Sequence, residues 1–359
     1  TSQFGYDLAN RLISAVDPIG RAVAFDHDAA DRVTSQLHLT DGREVTATYD
    51  AAGNVATLTP PGRPAHGFDY TSTDLESRYS PPAVAGSGST VTDYSYNLDK
   101  QLTRVTRPDA GTIIPAYDST SGKLRTLTHS LGTITAGYSS TTGQISSLAE
   151  SGGETLGFTW DGFLPLSEAW GGVVAGTVAR TFDDDFRVAS ESVNGTSPVG
   201  FLYDRDGLIT QAGDLLLSRS LATGLLSGST LGGVVETREH NLFGETSRVA
   251  YTVFGTPLLE TLYVRDALGR IVAKTETLDG VATLTEYGYD RAGRIETVTI
   301  DGTPAVTYSW DSNGNRLARD TAAGTELAAY DAQDRLLSHG DATFTWTANG
   351  ELATKTDAA

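Results

Sequence analysis

The sequence predicts an all-β chain, an array of about 17 β-hairpin repeats in one continuous antiparallel sheet. Three observations predict it. An aromatic–Asp pair, followed by a glycine or polar turn and an aliphatic residue, recurs about every 21 residues. A second series of turn dipeptides lies midway between these pairs. Between the two series, apolar and polar residues alternate with a period of two, the signature of strands.

The pair is clearest in Tyr49-Asp50-Ala51-Ala52-Gly53-Asn54-Val55 and Tyr289-Asp290-Arg291-Ala292-Gly293-Arg294-Ile295. A third copy, Trp310-Asp311-Ser312-Asn313-Gly314-Asn315-Arg316-Leu317, reads as one residue longer. Alignment on the aromatic position gives anchors at Tyr6, His27, Tyr49, Tyr70, Tyr96, Tyr117, Tyr138, Trp160, Phe182 and Tyr203. Weaker copies fall near Ser220, His240 and Arg265, and the series resumes at Tyr289, Trp310, Tyr330 and Trp346. The aromatic residue is expected to end a strand with its ring on the packed face. The Asp can bond backbone amides two residues on as an Asx-turn, and Gly53, Gly293 and Gly314 supply a backbone angle that other residues resist.

The midway turns are Asp41-Gly42, Gly152-Gly153, Asn194-Gly195, Asp279-Gly280 and Asp301-Gly302. Such dipeptides tolerate positive φ at both central positions of a two-residue hairpin turn. In the strands between, Val306, Tyr308 and Trp310 point one way and Thr307 and Ser309 the other. No segment carries sustained helical spacing with caps. The array reads as a single domain over 1–359, with a loop insertion at 79–91 rich in Pro, Gly and Ser and a proline-bearing turn at Pro60-Pro61-Gly62-Arg63-Pro64. A β-propeller is the alternative architecture, because two hairpins make one blade.

Apolar residues make up 39% of the chain, enough to pack. Asp and Glu number 45 against 26 Lys and Arg, a net charge of −19. That balance argues against nucleic acid and anionic membrane surfaces, which need a basic face. No apolar run is long enough for a membrane-spanning helix. The absence of cysteine rules out disulfides, thiol chemistry and Cys-bearing metal sites. With Thr1 in first place and no methionine, the chain is expected to be processed or cut from something longer.

The six histidines show no zinc spacing, and His27 and His240 occupy the aromatic position, where packing is the expected role. No nucleophile elbow or phosphate loop appears. Asp183, Asp184 and Asp185 are a weak candidate for calcium, since hard cations seek clustered carboxylates. They lie where the repeat already requires a turn aspartate. No cofactor and no catalytic residue is expected. The residues expected to carry the fold are the anchors Tyr6, Tyr49, Tyr96, Tyr117, Trp160, Phe182, Tyr203, Tyr289, Trp310 and Tyr330. With them go the turn residues Asp50, Gly53, Asp290, Gly293, Asp311 and Gly314.

Over nearly its whole length the chain resembles the YD-repeat family of Rhs polymorphic toxins, Tc toxin C components and teneurins. Tyr49 to Val55 and Tyr289 to Ile295 match the family pattern Y-D-x-x-G-[RN]-[LIV] position by position. The resemblance implies a ribbon-like sheet that spirals into part of a hollow shell. In toxins such a shell encloses a C-terminal toxic domain; in teneurins it scaffolds adhesion modules. The family's aspartate-dependent self-cleavage lies near a D-P-x-G sequence, but Asp17-Pro18-Ile19-Gly20 sits near the start and reads as a turn. The implied function is a non-catalytic wall of a larger extracellular or cell-surface protein. Its expected partners are the rest of the parent chain or an encapsulated domain, or other copies joined head to tail. The alternative is an adhesive or fibre-forming surface repeat, with glycan binding through exposed Tyr and Trp as a further reading.

Overall fold

The computed structural model describes residues 1–357 except 85 and 87. Among the described residues all regular structure is β: 34 strands in a single sheet, unclosed and without a helix. Strands adjacent in sequence pair antiparallel, as Arg43–Tyr49 does with Val55–Thr59 and Thr303–Trp310 with Arg316–Thr321. Two strands per repeat match the period. Pairing runs on from hairpin to hairpin, for example from Leu124–His129 through Gly132–Tyr138 to Ile145–Glu150. A propeller would break into separate four-stranded blades, so that alternative is corrected.

The turns show why the sequence marks them. Asn194-Gly195, Asp279-Gly280 and Asp301-Gly302 hold positive φ at both residues, as a two-residue hairpin turn demands. Asp41-Gly42 and Gly152-Gly153 do not: only Gly42 and Gly153 are left-handed. Both lie in longer turns, closed by Gly42 N–H on the His38 carbonyl and by Glu150 N–H on that of Glu154. The turn after Trp310 is not longer than the others. Trp310 pairs with Arg316 as Tyr289 pairs with Ile295, so Arg316 takes the aliphatic position.

Within the segment read as an insertion, Tyr79 and Ser80 belong to the strand Glu76–Ser80, and the connection to Thr92–Tyr96 begins at 81. Ala85 and Ser87 of that connection lie outside the described residues.

The sheet packs as one layer. Among the described residues no side chain is fully buried, and only Ala318, Pro82 and Pro115 among the apolar side chains fall in the most buried class. The accessible surface is 21594 Å², against about 14,000 Å² for a compact monomer of this mass. A sandwich would bury one face of each sheet against another. Here cohesion must come from within the layer. Hydroxyl pairs line one face, as between Thr48 and Thr57, Thr159 and Ser167, and Thr345 and Thr354, each at 2.6 Å. Aliphatic and aromatic residues alternate with them on the other.

The chain forms two compact units. The first comprises Thr1–Gly111, Val264–Lys274 and Thr283–Ala359; the second comprises Thr112–Tyr263 and Thr275–Ala282. Both are built from the same hairpins.

Candidate functional site

The recurring chemistry of this chain sits in the turn after each aromatic residue. After Tyr289, Asp290 N–H donates to the Arg294 carbonyl at 2.9 Å and Gly293 N–H to the Asp290 carbonyl at 3.0 Å. The Asp290 carboxylate accepts from Arg294 N–H at 2.8 Å with one oxygen and from Arg294 Nε at 2.7 Å with the other. The same five-residue geometry recurs at Asp7, Asp28, Asp183, Asp266 and Asp331, each paired with an arginine four residues on. Asp17, in the Asp-Pro-x-Gly segment, builds it too, holding Arg21 at 2.6 Å on a midway turn. Asp50 and Asp311 use Asn54 and Asn315 in the arginine's place.

Each turn is also bonded to its neighbour. The tip of most aromatic anchors donates to the carbonyl of the residue that resumes the chain after the preceding turn. Tyr49 Oη reaches Val33 at 2.6 Å, Tyr70 Oη reaches Val55 at 3.0 Å and Tyr96 Oη reaches Glu76 at 2.9 Å. Trp160 Nε1 reaches Ile145 at 2.7 Å, Tyr203 Oη reaches Val188 at 2.7 Å and Tyr289 Oη reaches Ile271 at 2.6 Å. Trp310 Nε1 and Tyr330 Oη do the same to Ile295 at 2.9 Å and Arg316 at 3.2 Å. Phe182 fills the position with a ring alone, and Tyr6, on the first strand, is 56% exposed. The motif arginine completes the coupling. Its guanidinium lies over the next aromatic ring, at 4.4 Å for Arg32 on Tyr49, 4.6 Å for Arg187 on Tyr203 and 4.2 Å for Arg270 on Tyr289. Arg294 further donates to the carbonyl of Asp311, one repeat on, at 2.7 Å.

One degenerate repeat keeps this logic with another residue. In the copy near Ser220, the aromatic position belongs to Arg219 and Ser220 takes the aspartate's place. Arg219 Nε donates to the Ile209 carbonyl at 3.2 Å, the bond a tyrosine hydroxyl makes elsewhere. In this repeat a donor tip stands in for the aromatic ring.

Charge follows the geometry. Hydrogen bonds from the side chain and backbone of Arg32 hold Asp28 below the usual carboxylate range. The Arg187 backbone N–H, then its guanidinium, do so for Asp183. Burial pushes Asp290 and Asp311 upward, yet the bonds from Arg294 to the one, and from Asn315 with the Arg63 charge to the other, leave both lowered. Asp183 and Asp185 both spend a carboxylate oxygen on Arg187, at 2.8 and 3.0 Å. Among the described residues no group of three or more acidic or histidine side chains could hold a metal ion. The aspartate run is a turn closed by its own arginine.

Within the first unit, turns from the two ends of the chain meet along a seam. Arg63 Nη2 lies 2.5 Å from Asp311 and its Nε 2.6 Å from Asp334, all three side chains under a third exposed. Ser312 Oγ donates to the Pro61 carbonyl at 3.1 Å and Gln333 Nε2 to that of Pro82 at 2.6 Å. Further along, Arg107 pairs with Glu351, and Asn349 donates to Asp109 at 2.7 Å. The partners are 240 to 271 residues apart in sequence. Gly62 holds a left-handed φ of 65°, and a Cβ there would displace the Ser312 hydroxyl. The seam leaves small openings, one of about 240 Å³ between the Asp17 and Asp41 turns and Arg291.

Fold and site together define a class: a single-layer β-hairpin repeat protein held by its turns. The chain belongs to the teneurin YD-shell family, whose family model matches residues 1–359. Teneurin-3 of Danio rerio is 23% identical over 349 residues, covering 92% of this chain and 12% of that protein. Human Teneurin-4 is 26% identical over 187 residues, 50% of this chain and 7% of that one. The crystal structure of TcdB2-TccC3 superposes with a TM-score of 0.76 over 99% of this chain and 25% of that chain, at 12% identity. A Photorhabdus luminescens Tc holotoxin pore gives a TM-score of 0.75, also at 12% identity, over 99% of this chain and 24% of that one. At that identity the likeness shows the fold alone. The chain spans about an eighth of the Danio rerio teneurin's length and about a quarter of the TcdB2-TccC3 chain's.

Proposed function

We propose that this chain is a section of shell wall: a non-catalytic scaffold in a larger secreted or surface-exposed protein, enclosing or presenting another domain. The observation that carries this reading is the seam. A sheet whose turns couple each repeat to the next, and whose distant turns then bond side by side, builds an extended surface instead of a core. The anchors from Tyr6 to Tyr330 and the turn residues Asp50, Gly53, Asp290, Gly293, Asp311 and Gly314 are its working parts. They maintain the wall and touch no substrate. The single-layer packing and the family's shell architecture support the same role, and the teneurin and Tc relatives support an extracellular or cell-surface setting. Negative-stain electron microscopy of the parent protein tests it. Closed or partly closed particles are expected; rods that lengthen with concentration would instead establish the fibre-forming reading.

A further inference from the structure

Two turns of this chain share one arrangement of polar groups, and only one of them is filled. After Trp310, Asn315 stands where the motif usually has arginine. Its amide is shared between Asp311 at 3.0 Å and Asp334 of the next repeat at 2.5 Å. Two carboxylates thus meet on one neutral amide. The missing positive charge arrives from across the seam as Arg63, bonded to both.

After Tyr49 the same Asp–Asn–Asp bonding recurs, except that Asn313, whose amide also donates to Asp334, is matched by Ala52. Asn54 replaces the arginine, and its amide is shared between Asp50 at 3.1 Å and Asp74 of the next repeat at 3.0 Å. Asp74 and Asp334 hold the same left-handed φ of 60°. Among the described residues neither Asp50 nor Asp74 has an ion pair within 4 Å; the adjacent Arg32 is bonded to Asp28 and reaches only the Asp50 carbonyl. The turn after Tyr6 isolates the cause. There Arg11 holds Asp7 at 2.7 Å and reaches Asp31 at 3.0 Å, so the same pair of aspartates is neutralised by its own repeat.

We propose that Asp50, Asn54 and Asp74 form a docking site for the guanidinium of an arginine-bearing turn in a further course of YD repeats. The inference rests on the wall reading. The filled copy specifies the occupant: a proline-flanked midway turn whose arginine forks between two carboxylates, the geometry guanidinium groups favour. Gly62 precedes that arginine and lets the two turns approach. On the unfilled side, Ala51 and Ala52 are small and exposed, which leaves the approach open.

The test titrates a cyclised peptide copying residues 57–67 into the intact chain while the Asn54 side-chain amide is followed by NMR. Saturable shifts are expected, weakened at least tenfold by Asp50→Asn or Asp74→Asn in the chain, or by Arg63→Gln in the peptide. Asp204→Asn, in a turn without this constellation, should leave binding unchanged. Asn54→Arg rebuilds the arrangement of Arg11, so it should raise the melting temperature and abolish peptide binding. Absence of saturation at millimolar peptide, equal binding by the Asp50→Asn and Asp74→Asn chains, or a lower melting temperature for Asn54→Arg would overturn the site. Calcium binding at Asn54 that the peptide does not displace would overturn it too. None of these outcomes changes the particles seen by microscopy, so failure here and failure of the wall reading are separable.

Discussion

The fourth residue of each five-residue turn sits in the left-handed region, and the chain fills that position with more than glycine. Gly53, Gly293 and Gly314 occupy it, but so do Asp31, Lys100, Ala110 and Phe186. For a residue with a Cβ this conformation costs about 1–2 kcal/mol, and Asn or Asp offsets part of that by local bonding. Phe186 has no such bond, and its ring is 73% exposed. Phe186→Gly is therefore expected to stabilise the chain by about 1 kcal/mol, read as a higher urea midpoint with unchanged slope. The opposite sign is expected at the aromatic position. Tyr289→Phe keeps the ring but removes the 2.6 Å bond to the Ile271 carbonyl, a loss of about 1 kcal/mol. Phe182 shows that a ring alone is tolerated, so the variant should fold and the loss should be measurable in the same assay.

At the scale of one hairpin, the arginine is the part that touches most. Arg294 holds Asp290, lies 5.6 Å from the centre of the Trp310 ring and donates to the Asp311 carbonyl. Arg294→Lys keeps the charge but not the fork that spans these partners, so it should be nearly as destabilising as Arg294→Ala, about 1–3 kcal/mol. A cycle pairing Arg294→Ala with Trp310→Phe would give the coupling between repeats. The aspartates add a pH dependence of fixed sign. Asp28, Asp183, Asp290 and Asp311 titrate lower folded than unfolded. Their contribution is complete above the unfolded carboxylate pKa of about 4 and is lost as pH falls through the folded values. Melting temperatures should be flat from neutrality to about pH 5 and fall below about pH 4. Asp290→Asn should shrink that fall. Much of this hairpin was legible beforehand, because the aromatic, Asp, Gly and Arg recur at fixed offsets and the turn chemistry follows from residue type. The aromatic tip's bond to the preceding repeat was not, since spacing does not say where a hydroxyl points. Nor was the repeat at Arg219: a guanidinium there performs the hydroxyl's task, and a search for rings passes over it. The turn after Trp310 reads as longer in the sequence because Arg316 takes the position where an aliphatic residue is expected.

For the whole molecule, a sheet whose described residues bury almost no side chains makes stability a sum of neighbour terms plus whatever bonds distant turns together. The hairpin terms repeat with the sequence period; the seam terms do not. Nothing in the spacing of Pro60-Pro61-Gly62-Arg63-Pro64 announces that Arg63 will meet Asp311 and Asp334, residues 248 and 271 positions away. Such a contact depends on how far the sheet turns per strand, which no short motif encodes. The seam is nevertheless where a wall differs from a ribbon. Removing Arg63 leaves the Asp311 and Asp334 carboxylates held by neutral donors only, among them the Asn313 and Asn315 amides, and the loss of a charged hydrogen-bond partner at partly buried groups costs about 1–3 kcal/mol. Arg63→Ala is expected to leave strand content unchanged by circular dichroism. Amide exchange should quicken in the turns at 61–64, 311–315 and 331–335, while the turn at 204–207 stays as it was. Asp334→Asn should give a weaker version of the same pattern, because Asp311 keeps its hold on Arg63. Gly62→Ala should loosen the same turns, since it strains a left-handed backbone position and its Cβ would push the Ser312 hydroxyl off the Pro61 carbonyl. If Arg63→Ala instead slowed or left unchanged the exchange at 311–315, the seam bonds would be incidental to the wall, and cohesion would rest on the hairpins alone.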